Sequence, residues 1–155
     1  MLAENNKEEF LIFKLGNEEY AIDIHKVQEI RSYESPTVIA DQPKYMKGVI
    51  NLRGSIVPVL DLRLKLNMEQ VTYDSFTVVV ILSYKNKILG VVVDSVSDVV
   101  TLNESQIQSS NGMEQFSDIN YLKGIGMVDE RMLQIIEINT FIDQLGKDNS
   151  EGLST

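Results

Sequence analysis

The sequence predicts a mostly β fold assembled from a duplicated half. Three observations predict it. Short β-branched and apolar runs recur along the 155 residues, separated by turn residues. Helical spacing is confined to two brief segments. A weak internal repeat relates the first half of the chain to the second.

Taken in order, Phe10–Leu15 is an apolar run that ends at Gly16-Asn17, a turn signal, before Tyr20-Ala21-Ile22; together they predict a hairpin. Ile24, Val27 and Ile30 are spaced three apart behind Asp23, which predicts one or two helical turns capped by that aspartate. Ser55–Leu62 is a continuous β-branched run, and its Pro58 places it at a sheet edge, a bulge or a strand end. Thr77–Leu82 and Ile88–Val93 form a second hairpin around Lys85-Asn86-Lys87, and Arg131–Ile138 is a further strand. Asn139 stands as the cap of a closing helix, Thr140–Leu145, that stops at Gly146 and lays Phe141, Ile142 and Leu145 on the core. The polar ends, residues 1–9 and 147–155, are expected to be flexible around a domain spanning 10–146.

The repeat sets Tyr20–Ile30 over Leu89–Val99, with Gly90 lying 69 positions after Ala21. It also sets Tyr45-Met46-Lys47-Gly48-Val49 over Tyr121-Leu122-Lys123-Gly124-Ile125, 76 positions apart. Each Tyr-x-Lys-Gly precedes a turn and an apolar strand, Ile56–Leu62 in one half and Met132–Ile138 in the other. The additional residues of the second half fall between Val99 and Tyr121, where Asn103–Gln106 and Ser109–Gly112 suit a loop or short helical turn. Sheets this short curl into barrels, which removes exposed edges, and a groove between two halves is a common binding site.

Composition narrows the function. A net charge of −9 and a pI near 4.6 disfavour nucleic acid and anionic lipid as partners. With no cysteine, disulfides, thiolate nucleophiles and Cys-based metal sites are excluded. The N-terminus lacks the basic and apolar regions of a secretory signal, and no apolar run approaches the roughly 18–20 residues of a membrane span. A cytoplasmic location is expected, without direct membrane insertion.

Catalytic chemistry is sparse. His25 is the single histidine, with no nucleophile or orienting carboxylate assignable beside it. Asp94 and Asp98 are four apart and read as a solvated acidic face without a third metal ligand. Gly124-Ile125-Gly126 lacks the third glycine of a dinucleotide loop and reads as a tight turn. Asp61 and Glu137 occupy matching strand ends. No cofactor and no metal are expected. In contrast, Gly48–Gly54 carries Arg53 on a turn, where a guanidinium reaches outward and forms forked carboxylate pairs at interfaces.

The blocks Glu19–Ile24, Val27–Arg31, Lys47–Gly54, Val57–Arg63 and Gly90–Val99 resemble the CheW coupling-protein family of bacterial chemotaxis, in the family's order and over nearly the whole chain. The resemblance implies two intertwined five-stranded SH3-like β-barrels with short helices and a C-terminal helix. It implies a non-enzymatic adaptor joining membrane chemoreceptors (methyl-accepting chemotaxis proteins) to the histidine autokinase CheA. The cytoplasmic receptor tip, a helical hairpin, is expected in the groove between subdomains. The family's receptor-facing positions carry over to Val27, Glu29, Ile30, Gly48, Arg53, Val78 and Val79. Kinase contact is expected at a barrel rim against the kinase's own CheW-like regulatory domain, and no kinase-contacting residue is assigned. Recruitment to the inner face of the membrane through receptor arrays would follow. As the chain ends soon after Leu145, a lone adaptor is expected, without the receiver or kinase segments of fused relatives. Two rival readings are a small β-barrel enzyme using His25 and Asp23, and a structural oligomer. The halves differ after Tyr-x-Lys-Gly, Asn51-Leu52-Arg53-Gly54 against Met127-Val128-Asp129-Glu130, and one-sided specificity is expected there.

Overall fold

The computed structural model describes residues 7–69, 71–109 and 121–145. Its strands are β1 (Lys7–Leu15), β2 (Glu18–Asp23), β3 (Val27–Ser32), β4 (Met46–Leu52), β5 (Ser55–Asp61), β6 (Val78–Tyr84), β7 (Lys87–Val93), β8 (Ser95–Asn103), β9 (Ile107–Ser109), β10 (Leu122–Val128) and β11 (Arg131–Ile136). A short helix α1 covers Leu62–Lys65, and 138–145 is helical, here α2. Single 3-10 turns occupy Ile24–Lys26 and Glu104–Gln106.

The strands form a five-stranded sheet, ordered β3-β6-β7-β5-β4, and a six-stranded sheet, ordered β8-β1-β2-β11-β10-β9. The chain divides into two compact units. One contains residues up to Ile12, Glu19–Ile24 and the chain from Asp98 onward; the other contains Phe13–Glu18 and His25–Ser97. The first has a core of Phe10, Ile12, Ala21, Leu102, Leu133 and Ile135. The second has a core of Leu52, Val57, Val59, Val79, Ile81 and Val92. Alternating apolar residues on hairpin-linked strands supply both cores, while runs of consecutive buried residues on β1, β6 and β7 show that these strands are buried on both faces.

Each sheet draws strands from both halves of the repeat. β3, β4 and β5 of the first half pair with β6 and β7 of the second, and β1 and β2 join β8, β10 and β11. The predicted intertwining is therefore present, and the aligned residues hold equivalent places. Val59 opposes Gly90 in the parallel β5–β7 pair, and Ile135 opposes Ala21 in the parallel β11–β2 pair. Val49 opposes Pro58 as Ile125 opposes Gln134. The Asp61 N–H donates to the Tyr45 carbonyl at 2.8 Å, and the Glu137 N–H donates to the Tyr121 carbonyl at 2.7 Å. Tyr-x-Lys-Gly thus marks the same bulge and the same strand-end bond in each half.

Five local expectations differ from the structure; one is Gly124-Ile125-Gly126, which lies within strand β10 and not in a tight turn. Val27 and Ile30 lie on strand β3, not on a helix; the helical part is the 3-10 turn Ile24–Lys26. A register shift between Val27 and Glu29 leaves Val27 opposite Leu82 and Ile30 opposite Val80. This bulge puts residues three apart on one side of the strand, which imitates helical spacing. Pro58 lies inside β5, an interior strand flanked by β7 and β4. It is tolerated because the Val49–Pro58 pair exchanges no hydrogen bond, Val49 directing both backbone groups at Thr37, and because the β5–β7 pairing begins only at Val59, past the missing N–H. Glu137, not Asn139, serves the start of α2: its carboxylate accepts from the Asn139 N–H at 3.4 Å and its carbonyl from the Phe141 N–H at 3.0 Å. Asp61 serves α1 in the same way, accepting from the Arg63 N–H at 3.0 Å. Finally, Asp94 and Asp98 do not form a solvated acidic face. Asp94 binds the Gly16 N–H and Arg63, while Asp98 pairs with Arg131.

Phe141 and Ile142 are buried and Leu145 is half-buried, as the closing-helix reading requires. Gly146 and residues 110–112 lie outside the described residues.

A candidate docking site on the five-stranded unit

β3 and β4 are the two edge strands of the five-stranded sheet. Curling brings these edges toward each other, and the seam between them is where the site lies. Glu29 on β3 and Arg53, in the turn between β4 and β5, span the seam. One guanidinium nitrogen lies 3.2 Å from one carboxylate oxygen and the other donates to the second oxygen at 3.3 Å. The Arg53 side chain stays 66% exposed while that of Glu29 is 29% exposed. Arg53 and Gly54 form a two-residue turn, since Leu52 opposes Ser55. Arg53 has φ of 50°, and the Asn51 side chain accepts from the Gly54 N–H at 2.8 Å. The turn thus aims Arg53 back across the seam.

Further along, Thr37 and Val49 exchange two backbone hydrogen bonds of 2.9 Å. Gly48 makes this approach feasible. It has φ of 139°, and a Cβ added there would stand 2.0 Å from the Thr37 carbonyl oxygen. Gly124 has the same relation to Gln108 in the other unit, at 2.3 Å. Near these two closures lies a cavity of about 200 Å³, lined by Arg31 and Ser32 of β3, Val49, Ile50 and Asn51 of β4, Val79 of β6, and Glu34, Ser35 and Thr37 of the intervening segment.

The structure sorts the seven sequence-selected residues into three groups. Glu29 and Arg53 form the seam ion pair. Val27, Ile30 and Val78 share one side of the β3–β6 ladder, since their partners Leu82, Val80 and Ser32 alternate on that side. Ile30 is 42% exposed, and Val27 and Val78 are half-buried. Gly48 and Val79 are buried. Gly48 packs beneath Thr37, and Val79 is a core residue that also reaches the cavity.

Reasoning from sequence missed the support beneath this site. Arg63 is 1% exposed and Asp61 0%. Arg63 donates to both Asp61 oxygens at 2.9 and 2.8 Å, to Asp94 at 2.5 Å and to the Thr72 carbonyl at 2.7 Å. Tyr73 donates its hydroxyl to Asp61 at 2.7 Å. Burial alone would push the Asp61 carboxyl up, but the bonds from Arg63 and Tyr73 outweigh it and hold that carboxyl below its ordinary range. Burial and the bond to Asp61 push the Tyr73 phenol up. The one signal available was Asp61-Leu62-Arg63, two opposite charges inside an apolar run.

The six-stranded unit has a counterpart to the seam pair. Asp98 aligns with Glu29 and bonds Arg131 at 3.1 Å, while Glu19 holds the same guanidinium at 2.7 Å. The arginine comes from the start of β11, two positions beyond Asp129, which aligns with Arg53. The halves therefore differ in turn sequence yet place an equivalent ion pair.

His25 is exposed on its 3-10 turn. Among the described residues, no group of three or more His, Cys, Asp or Glu is arranged to hold a metal ion, and no helix is long and apolar enough to cross a membrane.

A family model described as the CheW-like domain matches residues 9–146. The chain belongs to the CheW family. It is 47% identical over 142 residues to the chemotaxis protein CheW of Klebsiella aerogenes, covering 92% of this chain and 86% of that protein. It is 34% identical over 138 residues to the chemotaxis protein CheW of Bacillus subtilis, covering 88% of each. The crystal structure of the scaffolding protein CheW from Thermoanaerobacter tengcongensis superposes with a TM-score of 0.75 at 28% identity, covering 83% of this chain and 88% of that one. CheW proteins are chemotaxis scaffolds and adaptors, not enzymes, which removes the reading built on His25.

Proposed function

We propose that this chain couples membrane chemoreceptors to the histidine kinase CheA, working in the cytoplasm and recruited to the membrane through receptor arrays. The receptor tip is the occupant proposed for the β3–β4 seam. The observation that carries this reading is the Glu29–Arg53 pair across the seam. It fixes a strongly exposed guanidinium against β3, whose other side, by its register with β6, presents Ile30, an exposed apolar side chain. A receptor helix laid along the β3 edge is offered both: apolar surface for its own apolar stripe and a directional donor for its carboxylates. Glu29 engages both terminal nitrogens of Arg53, yet the Arg53 side chain stays largely exposed and open to a further carboxylate. CheA is expected to engage through its own CheW-like regulatory domain, at a rim for which no residue is assigned.

Co-sedimentation of the chain with receptor-containing membranes and CheA tests this. Arg53→Ala is expected to reduce recruitment several-fold while changing stability by less than about 1 kcal/mol, because the ion pair is solvent-screened. Undiminished recruitment by a folded Arg53→Ala variant would remove the seam from the receptor site.

A further inference from the structure

One wall of the seam cavity between β3 and β4 belongs to no regular strand. Residues 33–37 supply Glu34, Ser35 and Thr37 to the lining, and they need support from elsewhere. Thr37 is held at one end by its two bonds to Val49. At the other end, the Tyr33 N–H donates to the Thr77 carbonyl at 3.1 Å. The Tyr33 ring stacks on Tyr73, with centroids 4.5 Å apart and planes inclined by 26°. Ser35, two residues on, lines the cavity, so the position of the Tyr33 ring bears on the lining.

Tyr73 is itself fixed from three directions. Its hydroxyl bonds buried Asp61 at 2.7 Å, the Arg63 guanidinium lies 4.9 Å from its ring centre, and the Lys47 ammonium lies 5.3 Å from it. Arg63 also holds the neighbouring Thr72 carbonyl. Tyr73 does not line the cavity. Its ring connects a buried, doubly anchored ion pair to the one aromatic residue of the wall.

We infer that Tyr73 is a positioning residue for the docking cavity, bracing the 33–37 wall through Tyr33 without touching an occupant. This rests on the reading of the seam as a docking site. Asp61 and Arg63 serve as the fixed base of the brace, and Tyr73 is its transmitting part.

Amide hydrogen exchange on the full-length chain separates the brace from general stability. The amides of Thr37 and Val49 report the wall, and the amide of Glu137, bonded to Tyr121 in the other unit, serves as reference. Tyr73→Leu removes the stack and the hydroxyl. It is expected to speed exchange at Thr37 and Val49 by about three- to tenfold over any change at Glu137, the equivalent of one aromatic pair. Tyr73→Phe keeps the stack and is expected to fall between Tyr73→Leu and the native chain. Recruitment by Tyr73→Leu in the co-sedimentation assay is expected to fall with wall opening. Equal acceleration at Thr37, Val49 and Glu137, or none, overturns the bracing role whatever recruitment does. Selective opening with full recruitment keeps the brace and overturns its link to docking.

Discussion

Arg63 is the residue whose surroundings most constrain this molecule. A buried guanidinium persists only when its donors are met, and Asp61, Asp94 and the Thr72 carbonyl meet them. Removing one member leaves the other charge buried, so Arg63→Ala is expected to cost about 3–5 kcal/mol in urea denaturation. Asp61 also sets a pH limit. Folding lowers its pKa, so around and below the ordinary value of 3.8 the unfolded chain binds more protons than the native one. Its stabilisation is complete above that value and is lost as pH falls through the folded-state pKa. Urea midpoints should therefore decline below about pH 4, and Asp61→Asn should give a lower but flatter acid limb. If the acid limb of Asp61→Asn kept the native slope, the effect would belong to other carboxylates. None of this was legible beyond the adjacency of Asp61 and Arg63, because a sequence shows charge and not burial.

Bulges and close approaches explain most of what the sequence left unread among the elements. The hairpins were legible because Gly16-Asn17 and Lys85-Asn86 are turn residues, and the structure gives Gly16, Lys85 and Asn86 positive φ. β3 was not, because its bulge aligns Val27 with Ile30 as a helix would. Gly48 was legible as a selected residue, but its contact with Thr37 joins positions eleven apart that no local pattern connects. Since a Cβ at Gly48 would overlap backbone, Gly48→Ala is expected to lower stability by about 1–3 kcal/mol. Gly124→Ala, facing the Gln108 carbonyl, is expected to behave similarly. Thermal unfolding of both variants checks this. Only Gly48→Ala should also reduce recruitment, because Gly124 lies in the unit without the proposed cavity. Equal loss of recruitment in the two would reduce Gly48 to a stability residue.

For the molecule as a whole, the duplication was the most informative reading of the sequence. It anticipated strand partners, since Val59 with Gly90 and Ile135 with Ala21 are the same pair twice. It did not anticipate that the seam ion pair also recurs, because Arg131 occupies a shifted position and replaces Arg53 only in space. An adaptor has no use for acid–base chemistry at His25, so His25→Gln is expected to retain full kinase activation in receptor–kinase assemblies; a loss with intact recruitment would contradict a purely scaffolding role. The central claim is that Arg53 meets the receptor and does more than close the seam. Charge reversal separates the two duties. The single variants Glu29→Arg and Arg53→Glu break the pair, and the double variant restores it in the opposite sense. Co-sedimentation of the double variant with receptor membranes and CheA is the most direct measurement. Native stability with recruitment still several-fold down is expected; recovery of full recruitment along with stability would show that the pair only closes the barrel.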